Sequence, residues 1–243
     1  MSAWLIGTSG FSYPSWRGVF YPHDLPSKDW LAFYQREFSA VELNVTFYRT
    51  PRESTVSRWA DATGPDFRFV LKMPKLITHI KRLSDCSSEL SRFWDRAAML
   101  EKKLAAVLAQ LPPSLKFERD RFRGFLALVP RGFAPIGWEA RHKSFIEDHT
   151  IAWFSENRQS LVVADSGGRY PTVRAFSSEP AYLRFHGPKE LYSSRYTAEQ
   201  LGEYVSWVKH DVPPDAPVLA FFNNDAGGHA IVNARQLRDL AQT

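Results

Sequence analysis

Charged and amide side chains end several short apolar runs of this chain, at positions where a solvated surface does not explain them. In parallel strands that close into a barrel, all such ends meet at one mouth, where barrel enzymes keep their catalytic groups. The residues concerned are Glu42, Asn44, Lys72, Gln110, Glu139, Arg141, Asp165, Arg184, His186, Asn223 and Asn224. Their types and spacing predict one polar site at the carboxyl ends of the strands.

The predicted catalytic residues are three carboxylates, Glu42, Glu139 and Asp165. Two carboxylates at one mouth act as acid and base when their surroundings move their pKa values apart. Glu42 and Glu139 are the preferred candidates for this proton transfer. The alternative is a structural ring of ion pairs with the cations of the same set, and the sequence leaves that alternative open.

The cations of the set predict an anionic ligand, bound at Lys72, Arg141 and Arg184. Arginine recognises phosphate or carboxylate groups in a bidentate manner, whereas lysine acts as a point charge. Hydrogen bonds from the remaining residues are expected to orient the ligand; these residues are Asn44, Gln110, His186, Asn223 and Asn224. A helix that starts after Gly227 and Gly228 offers a further phosphate site, although two glycines also form ordinary turns.

Short apolar runs alternate with longer amphipathic ones, which predicts a parallel sheet with crossover helices. Eight strands are expected, at residues 4–7, 41–44, 67–72, 106–110, 135–139, 161–165, 181–185 and 218–222. Helices are expected at residues 27–38, 52–62, 88–103, 118–128, 145–157, 197–209 and 229–241. The predicted fold class is α/β, and the architecture is a single (β/α)8 TIM barrel that forms one domain over residues 1–243.

Two connections depart from regular strand–helix alternation. Residues 166–180 hold too much glycine and proline for a full helix, so we expect a degenerate sixth helix there. The loop at residues 8–22 carries aromatic side chains at positions 11, 13, 16, 20 and 21. These rings must pack on something, and the sequence leaves open whether the loop covers the barrel as a lid or stacks against a substrate.

Five motifs in this order resemble the YecE-like family of TIM-barrel proteins, a domain of unknown function. They lie at residues 7–16, 41–48, 72–79, 139–145 and 222–234, so the resemblance runs over nearly the whole chain. It implies a single TIM barrel and supplies no established reaction. The chain departs from the family pattern at Phe11 and Phe145, where tryptophan is expected, and at residues 225–227, where Asp-Ala-Gly replaces a segment such as Thr-Trp-Glu.

The composition is that of an ordinary globular chain, with 44% hydrophobic and 23% charged residues. The one cysteine, Cys86, has no intramolecular partner for a disulfide, which fits a reducing compartment. The sequence has neither a signal-peptide pattern at its N-terminus nor an apolar run of membrane-spanning length. We therefore expect a soluble, cytoplasmic protein without a membrane partner.

Charge and missing motifs narrow the ligand classes. Lysine plus arginine exceeds aspartate plus glutamate by 31 − 26 = +5, a mild excess that permits nucleic acid as a partner without favouring it. The chain lacks a P-loop, a Gly-x-Gly-x-x-Gly fingerprint, a Gly-x-Ser-x-Gly elbow and a His-Glu-x-x-His zinc pair. We expect neither a cofactor nor a metal, although carboxylates and His186 are chemically suited to a metal.

Three functional hypotheses follow from these residues. The leading one is an enzyme that binds a small anionic substrate at the barrel mouth and uses acid–base chemistry, with hydrolase and lyase reactions both open. The second is a barrel that acts on nucleic acid, as a metal-assisted phosphodiesterase or a lesion-binding protein, with the aromatic loop stacking on bases. The third is a non-catalytic binding protein on an enzyme scaffold.

Overall fold

A closed barrel of eight parallel strands forms the centre of the computed structural model, which describes residues 3–242. The strands are β1 (Trp4–Ser9), β2 (Ala40–Leu43), β3 (Arg68–Lys72), β4 (Leu104–Gln110), β5 (Ile136–Glu139), β6 (Ser160–Asp165), β7 (Ala181–Phe185) and β8 (Val218–Phe222). Each pairs with its neighbours in sequence, and β8 closes the barrel against β1. The predicted (β/α)8 barrel with eight strands is confirmed.

Most of the helices pack around the outside of the barrel, and the short helix after β2 lies at its mouth. They are α1 (Trp30–Tyr34), α2 (Val45–Tyr48), α3 (Glu53–Asp61), α4 (Ser87–Ala98), α5 (Arg119–Leu126), α6 (Asp148–Glu156), α7 (Ala198–Asp211) and α8 (His229–Gln242). The prediction missed α2, a single turn directly after β2. None of the helices within residues 3–242 combines the length and apolarity that crossing a bilayer requires.

The connection between β6 and β7 contains no helix. Residues 166–180, all of which the structure describes, run as turns and extended chain. Gly167 and Gly168 both adopt positive φ angles (59° and 80°), a conformation that side chains with a Cβ rarely adopt. The expected degenerate sixth helix is therefore confirmed in its limiting form, a βα loop without a helix.

Local sequence signals fix where the helices begin and which face they bury. At the start of α7, the Gln200 amide donates to Thr197 Oγ1 (3.2 Å), and the Thr197 amide donates to Gln200 Oε1 (3.0 Å). This is the capping box that the Thr-x-x-Gln spacing predicts. In α4, the side chains at three-to-four spacing are buried against the barrel: Leu90, Phe93, Trp94 and Ala97.

Two separate layers of side chains make up the core. One lies between the strands and the helices, and the other fills the barrel lumen. The lumen layer includes Ala40, Val70, Leu108, Val162, Tyr182, Leu219 and Phe221. Because side chains alternate along a strand, the residue two positions further on each strand faces the same lumen, nearer the mouth. This apolar layer is the floor beneath the polar strand ends.

Gly137 on β5 makes room for the ring of Tyr182 in that floor. A Cβ atom at position 137 would collide with Tyr182 Cδ1 and Cε1. We therefore expect Gly137→Ala to lower the free energy of unfolding by about 1–3 kcal/mol through overpacking. Urea denaturation measures the change. Gly202→Ala in α7 is the matched control, because its Cβ meets nothing within 4 Å and should stabilise the helix by about 0.5–1 kcal/mol. Equal losses in both variants would contradict the packing argument.

Candidate active site at the barrel mouth

The polar strand ends reach the lumen through simple alternation. On several strands a polar residue stands two positions beyond an apolar floor residue, so Ala40 is followed by Glu42, and Val70 by Lys72. The same step leads from Tyr182 to Arg184. Five inward-facing polar side chains are buried together in this way, on β2, β3, β4, β5 and β7: Glu42, Lys72, Gln110, Glu139 and Arg184.

Arg184 lies at the centre of this group and is completely buried. Its Nε donates to Glu42 Oε2 (2.8 Å) and its Nη2 donates to Glu42 Oε1 (2.6 Å), which is a bidentate ion pair. Its Nη1 donates to Glu139 Oε2 and lies 3.2 Å from His186 Nε2. All three guanidinium nitrogens are thus engaged by protein groups, so most of the donors of Arg184 are already used by Glu42, Glu139 and His186.

The carboxylate of Glu42 is fully occupied as an acceptor. Besides the two bonds from Arg184, it accepts one from Ser9 Oγ (2.7 Å) and one from the Tyr182 hydroxyl (2.5 Å). Burial opposes its ionisation, but Arg184 and the hydrogen bonds from Tyr182 and Ser9 together hold the pKa of Glu42 below its ordinary value. Glu42 is therefore an ionised counter-charge, and this geometry does not favour proton transfer by its carboxylate.

Glu139 connects the central arginine to the rest of the mouth. Its Oε1 accepts hydrogen bonds from Gln110 Nε2 (2.6 Å) and Arg141 Nε (3.2 Å). Gln110 in turn accepts at Oε1 from Lys72 Nζ (2.9 Å). Burial opposes the ionisation of Glu139, but Arg184, His186 and Arg141 together hold its pKa well below the ordinary value. Hydrogen bonds therefore run without a break from Lys72 through Gln110 and Glu139 to Arg184 and Glu42, and the five strand ends form one charged network.

His186 and Asn223 extend the network toward β8. His186 is buried, and its Nδ1 lies 3.1 Å from Asn223 Nδ2. Burial lowers the pKa of His186, with a smaller opposing effect from Glu139 and a further lowering by Arg184. The imidazole is consequently neutral at neutral pH, the form that accepts or passes on a proton.

A cavity of about 830 Å³ opens above this network. Its polar lining includes Asn44, Lys72, Asn223 and Asp225, and Asn44 Oδ1 is buried without a hydrogen-bond partner among residues 3–242. The walls are largely aromatic: Phe11, Tyr13, Phe47, Tyr48, Trp59 and Tyr192. A few polar groups at the base of an aromatic cleft of this size is the usual form of a small-molecule site.

Two predicted site residues do not join the cluster. Asp165 follows the lumen residue Ala164 and so faces the opposite side of β6, where its carboxylate accepts from the Tyr204 hydroxyl (2.7 Å) and the Gly167 amide (3.0 Å). Asn224 follows Asn223 and turns outward in the same way. Its Nδ2 donates to Asn233 Oδ1 (3.0 Å) on α8. Both side chains therefore hold connections to helices and lie outside the mouth.

Sequence reasoning missed Asp225, which lines the cavity in the loop after β8. Burial raises the pKa of its carboxyl above the ordinary value. Tyr182 and Ser9 were also missed as partners of Glu42. The alternation of lumen-facing residues would have found Ser9 and Tyr182, but no strand pattern signals a loop residue such as Asp225.

The aromatic loop after β1 divides into two parts. Trp16, Phe20 and Tyr21 are buried and pack on the barrel flank, with Tyr21 stacked on Trp30 at 4.7 Å between ring centroids. Phe11 and Tyr13 instead line the cavity. The buried rings of Trp16, Phe20 and Tyr21 are thus not available for stacking on a base. Most of the loop is a structural cover over the barrel flank.

A closed parallel barrel with buried charges at the carboxyl ends of its strands defines the class of (β/α)8 barrel proteins. A family model described as "Protein of unknown function DUF72" matches residues 5–243. The chain therefore belongs to the DUF72 family, which includes the YecE-like proteins.

Relatives and solved structures agree with this membership. The UPF0759 protein YecE of Escherichia coli (strain K12) is 33% identical over 141 residues, and the match covers 58% of this chain and 49% of YecE, so the chain spans about half the length of that relative. The UPF0759 protein YunF of Bacillus subtilis (strain 168) is 24% identical over 90% of this chain and 89% of YunF. The crystal structure of a DUF72 family protein from Thermotoga maritima MSB8 has a TM-score of 0.88 and 29% identity, with 99% of this chain and 100% of that chain covered.

Proposed function

We propose that this chain is an enzyme that binds a small anionic substrate in the cavity at the barrel mouth and acts on it by acid–base chemistry. The observation that carries the proposal is the buried network itself. Glu42, Lys72, Glu139 and Arg184 lie together in the lumen, although burying charges is costly and apolar residues of similar size often stabilise a fold as well or better. Such a cluster beside an open cavity is typical of a functional site.

Two cations remain for an anionic ligand once Arg184 is committed to its carboxylates. Lys72 lines the cavity. Arg141 uses Nε for Glu139 and stacks its guanidinium on Tyr170 at 4.4 Å, so its Nη1 and Nη2 form no hydrogen bond with any residue in 3–242. Asn44 and Asn223 supply amide groups beside Lys72. Together these side chains match the needs of a phosphate or carboxylate group.

The acid–base pair that the structure favours differs from the predicted pair of glutamates. Lys72 and Asp225 both line the cavity, and burial shifts both groups toward their neutral forms. Burial lowers the pKa of Lys72 to about 8. Groups whose surroundings move their pKa values toward the working pH are the usual acids and bases of enzymes. Glu42 and Glu139 then serve as counter-charges that hold Arg184 and orient Arg141.

Replacing Arg141 by methionine should weaken the binding of inorganic phosphate or citrate by about tenfold to a hundredfold, the usual contribution of a charge-assisted hydrogen bond. Isothermal titration calorimetry on the full chain measures the affinity. Arg131→Met is the matched control, because Arg131 is exposed and precedes the same strand at the opposite end of the barrel. Equal affinities in both variants, or no binding of any small anion to the wild type, would argue against an anion site at this mouth.

A further inference from the structure

Lys72 is an unusual lysine, because it is only 8% exposed and forms no direct ion pair with a carboxylate within residues 3–242. Its Nζ donates to the neutral side chain of Gln110 (2.9 Å) and lies 4.3 Å from the centroid of the Phe47 ring. Arg184, in contrast, is buried with two carboxylates against it. Lysines are almost never this buried unless paired, so the fold places the Lys72 amine in an environment that disfavours its charge.

The surroundings explain how this amine loses its proton. Burial is the largest effect, and the nearby cations Arg184 and Arg141 act in the same direction, while Glu139 and Glu42 oppose them; the resulting pKa of Lys72 is about 8. A substantial fraction of the amine is therefore neutral slightly above neutral pH, with its lone pair free to react. A desolvated lysine beside other cations is one of the known ways to make a nucleophilic amine.

The position of Lys72 suits a nucleophile as well. It is the last residue of β3, the end at which barrel enzymes carry their reactive side chains, and it lines the cavity. The carboxyl of Asp225 lies on the same cavity, and burial raises its pKa. Asn44 Oδ1, in the residue directly after β2, is a buried acceptor without a partner in the described part of the chain. An amine, an acid and a free acceptor thus surround one space.

We propose that Lys72 is a covalent catalyst that condenses with the carbonyl group of an anionic aldehyde or ketone bound at the mouth. The Nζ lone pair attacks the carbonyl carbon, a C–N bond forms, the C=O π pair moves to oxygen, and one Nζ proton passes to that oxygen to give the carbinolamine. A second proton on the hydroxyl group lets it leave as water while the nitrogen lone pair forms the C=N bond, and the remaining Nζ proton returns to the group that supplied the second proton, which leaves the Schiff base. Amine plus carbonyl compound thus gives imine plus water, and Asp225 is the cavity carboxyl suited to deliver the proton.

This inference rests on the proposed function, since the anionic group of the substrate is held by the same mouth, and it narrows the substrate to a carbonyl compound. Pyruvate and glyoxylate are suitable probes, because each joins a carboxylate to a reactive carbonyl. The full chain is incubated with each probe and sodium cyanoborohydride, which reduces an imine to a stable secondary amine. Intact mass and peptide mapping then identify the modified lysine.

The expected result is one adduct, at Lys72, formed at least about tenfold faster than at the exposed Lys75 three residues further on. Lys72→Arg should fold with an unchanged circular dichroism spectrum and give no adduct at position 72. Formaldehyde, a carbonyl probe without an anionic group, tests access to the amine. Labelling of Lys75 without Lys72 by formaldehyde, or equal labelling of both lysines by pyruvate and glyoxylate, would overturn the proposal.

Phosphate titration of the same preparation distinguishes the Schiff-base proposal from the wider proposal that the mouth binds a small anionic substrate. If phosphate binds in an Arg141-dependent manner while Lys72 stays unreactive toward every probe, the mouth is an anion site and the Schiff-base role is wrong. If phosphate fails to bind and Lys72 is unreactive, both proposals are wrong. If Lys72 reacts selectively with pyruvate or glyoxylate, and phosphate slows that reaction, both are supported.

Discussion

Replacement of Glu42 by glutamine should lower the free energy of unfolding by about 3–5 kcal/mol, the usual cost of removing one partner of a buried ion pair. The amide keeps the volume of the carboxylate but removes the charge that faces two nitrogens of the fully buried Arg184. It also puts an NH2 group where either the Ser9 hydroxyl or Tyr182 hydroxyl needs an acceptor. The loss is therefore expected to be large for a substitution that changes so few atoms.

Denaturation in guanidinium chloride at neutral pH measures this loss, and two further variants calibrate it. Glu139→Gln should lower the free energy of unfolding by less than Glu42→Gln does, because Arg184 keeps its bidentate partner Glu42. Glu53→Gln removes a surface partner of Arg96 and should cost about 1 kcal/mol or less. A Glu42→Gln loss no greater than the surface value would show that Arg184 does not depend on Glu42 for its counter-charge.

The loss of unfolding free energy in Glu42→Gln should also depend on pH, and the lowered pKa of Glu42 determines the direction of that dependence. Burial raises the pKa of Glu42, but Arg184 and the hydrogen bonds from Tyr182 and Ser9 together hold it below its ordinary value of 4.5 in the folded protein. The stability that this carboxylate contributes is then fully present above that value and is lost as pH falls through the lower, folded pKa. The difference in unfolding free energy between wild type and variant should therefore shrink as pH falls below about 4.5. A constant difference down to strongly acidic pH would contradict an ionised Glu42.

Replacement of Trp16 by alanine should lower the free energy of unfolding by about 3–5 kcal/mol, the range for large aromatic side chains in a core. Trp16 lies in a loop but is fully buried, and its ring packs against Tyr13 (4.8 Å), Phe20 (5.8 Å) and Tyr21 (6.2 Å) between centroids. Its Nε1 donates to the Asp225 carbonyl at 3.4 Å, a long bond that links the loop to the neighbouring loop after β8. The loop should therefore behave as part of the core.

Thermal and chemical denaturation measure the Trp16→Ala loss, with Tyr48→Ala as the control. Tyr48 is also an aromatic residue beside the cavity but is 80% exposed, so its removal should change stability by about 0.5 kcal/mol or less. Trp16→Ala should in addition weaken phosphate binding, since Tyr13 and Asp225 line the cavity. If both variants melted like the wild type, the loop would be a detachable lid instead of a structural cover.

The strand pattern of this chain could be predicted from the sequence because each strand is a short apolar run bounded by polar residues. Val218–Phe222 is an example, since all five residues are buried and the run ends at Asn223. Helix bounds were less accurate where tight turns replace helical ones. Residues 27–29 and 143–145 form 3-10 turns, and a propensity argument does not distinguish these from the first turn of an α-helix.

The convergence of polar strand-end residues was predicted correctly where the residue falls in register with the lumen. Glu42, Lys72, Gln110, Glu139 and Arg184 all meet that condition. Asp165 does not, because it stands one residue after Ala164 and a shift of one residue reverses the face of a strand. Following the alternation of side chains along β6 would have placed Asp165 on the outer face of the strand and excluded it from the predicted site.

Pairing between strands that are distant in sequence could not be predicted in the same way. The sequence offered both a reactive acid pair and a ring of ion pairs for Glu42 and Glu139, and the choice depends on which nitrogens of Arg184 reach them. The distances between the Arg184 nitrogens and the two carboxylates depend on strand tilt and on side-chain rotamers across the lumen, and the linear sequence does not record either. Asp225 was missed for a related reason, since loop geometry after β8 decides where its carboxyl lies.

The position of Arg184 has a consequence for how the barrel is assembled. Arg184 lies on β7, and its carboxylate partners lie 142 residues earlier on β2 and 45 residues earlier on β5. A half-barrel of β1–β4 would contain Glu42 without its arginine, and a half-barrel of β5–β8 would hold Arg184 with one carboxylate only. The first half lacks the guanidinium that neutralises Glu42, and in the second half Arg184 Nε and Nη2 lack their acceptor, so each half is destabilised until the other is in place. The ion pairs of Arg184 with Glu42 and Glu139 thereby couple the two halves of the chain. We expect this coupling to make folding all-or-none instead of stepwise by halves.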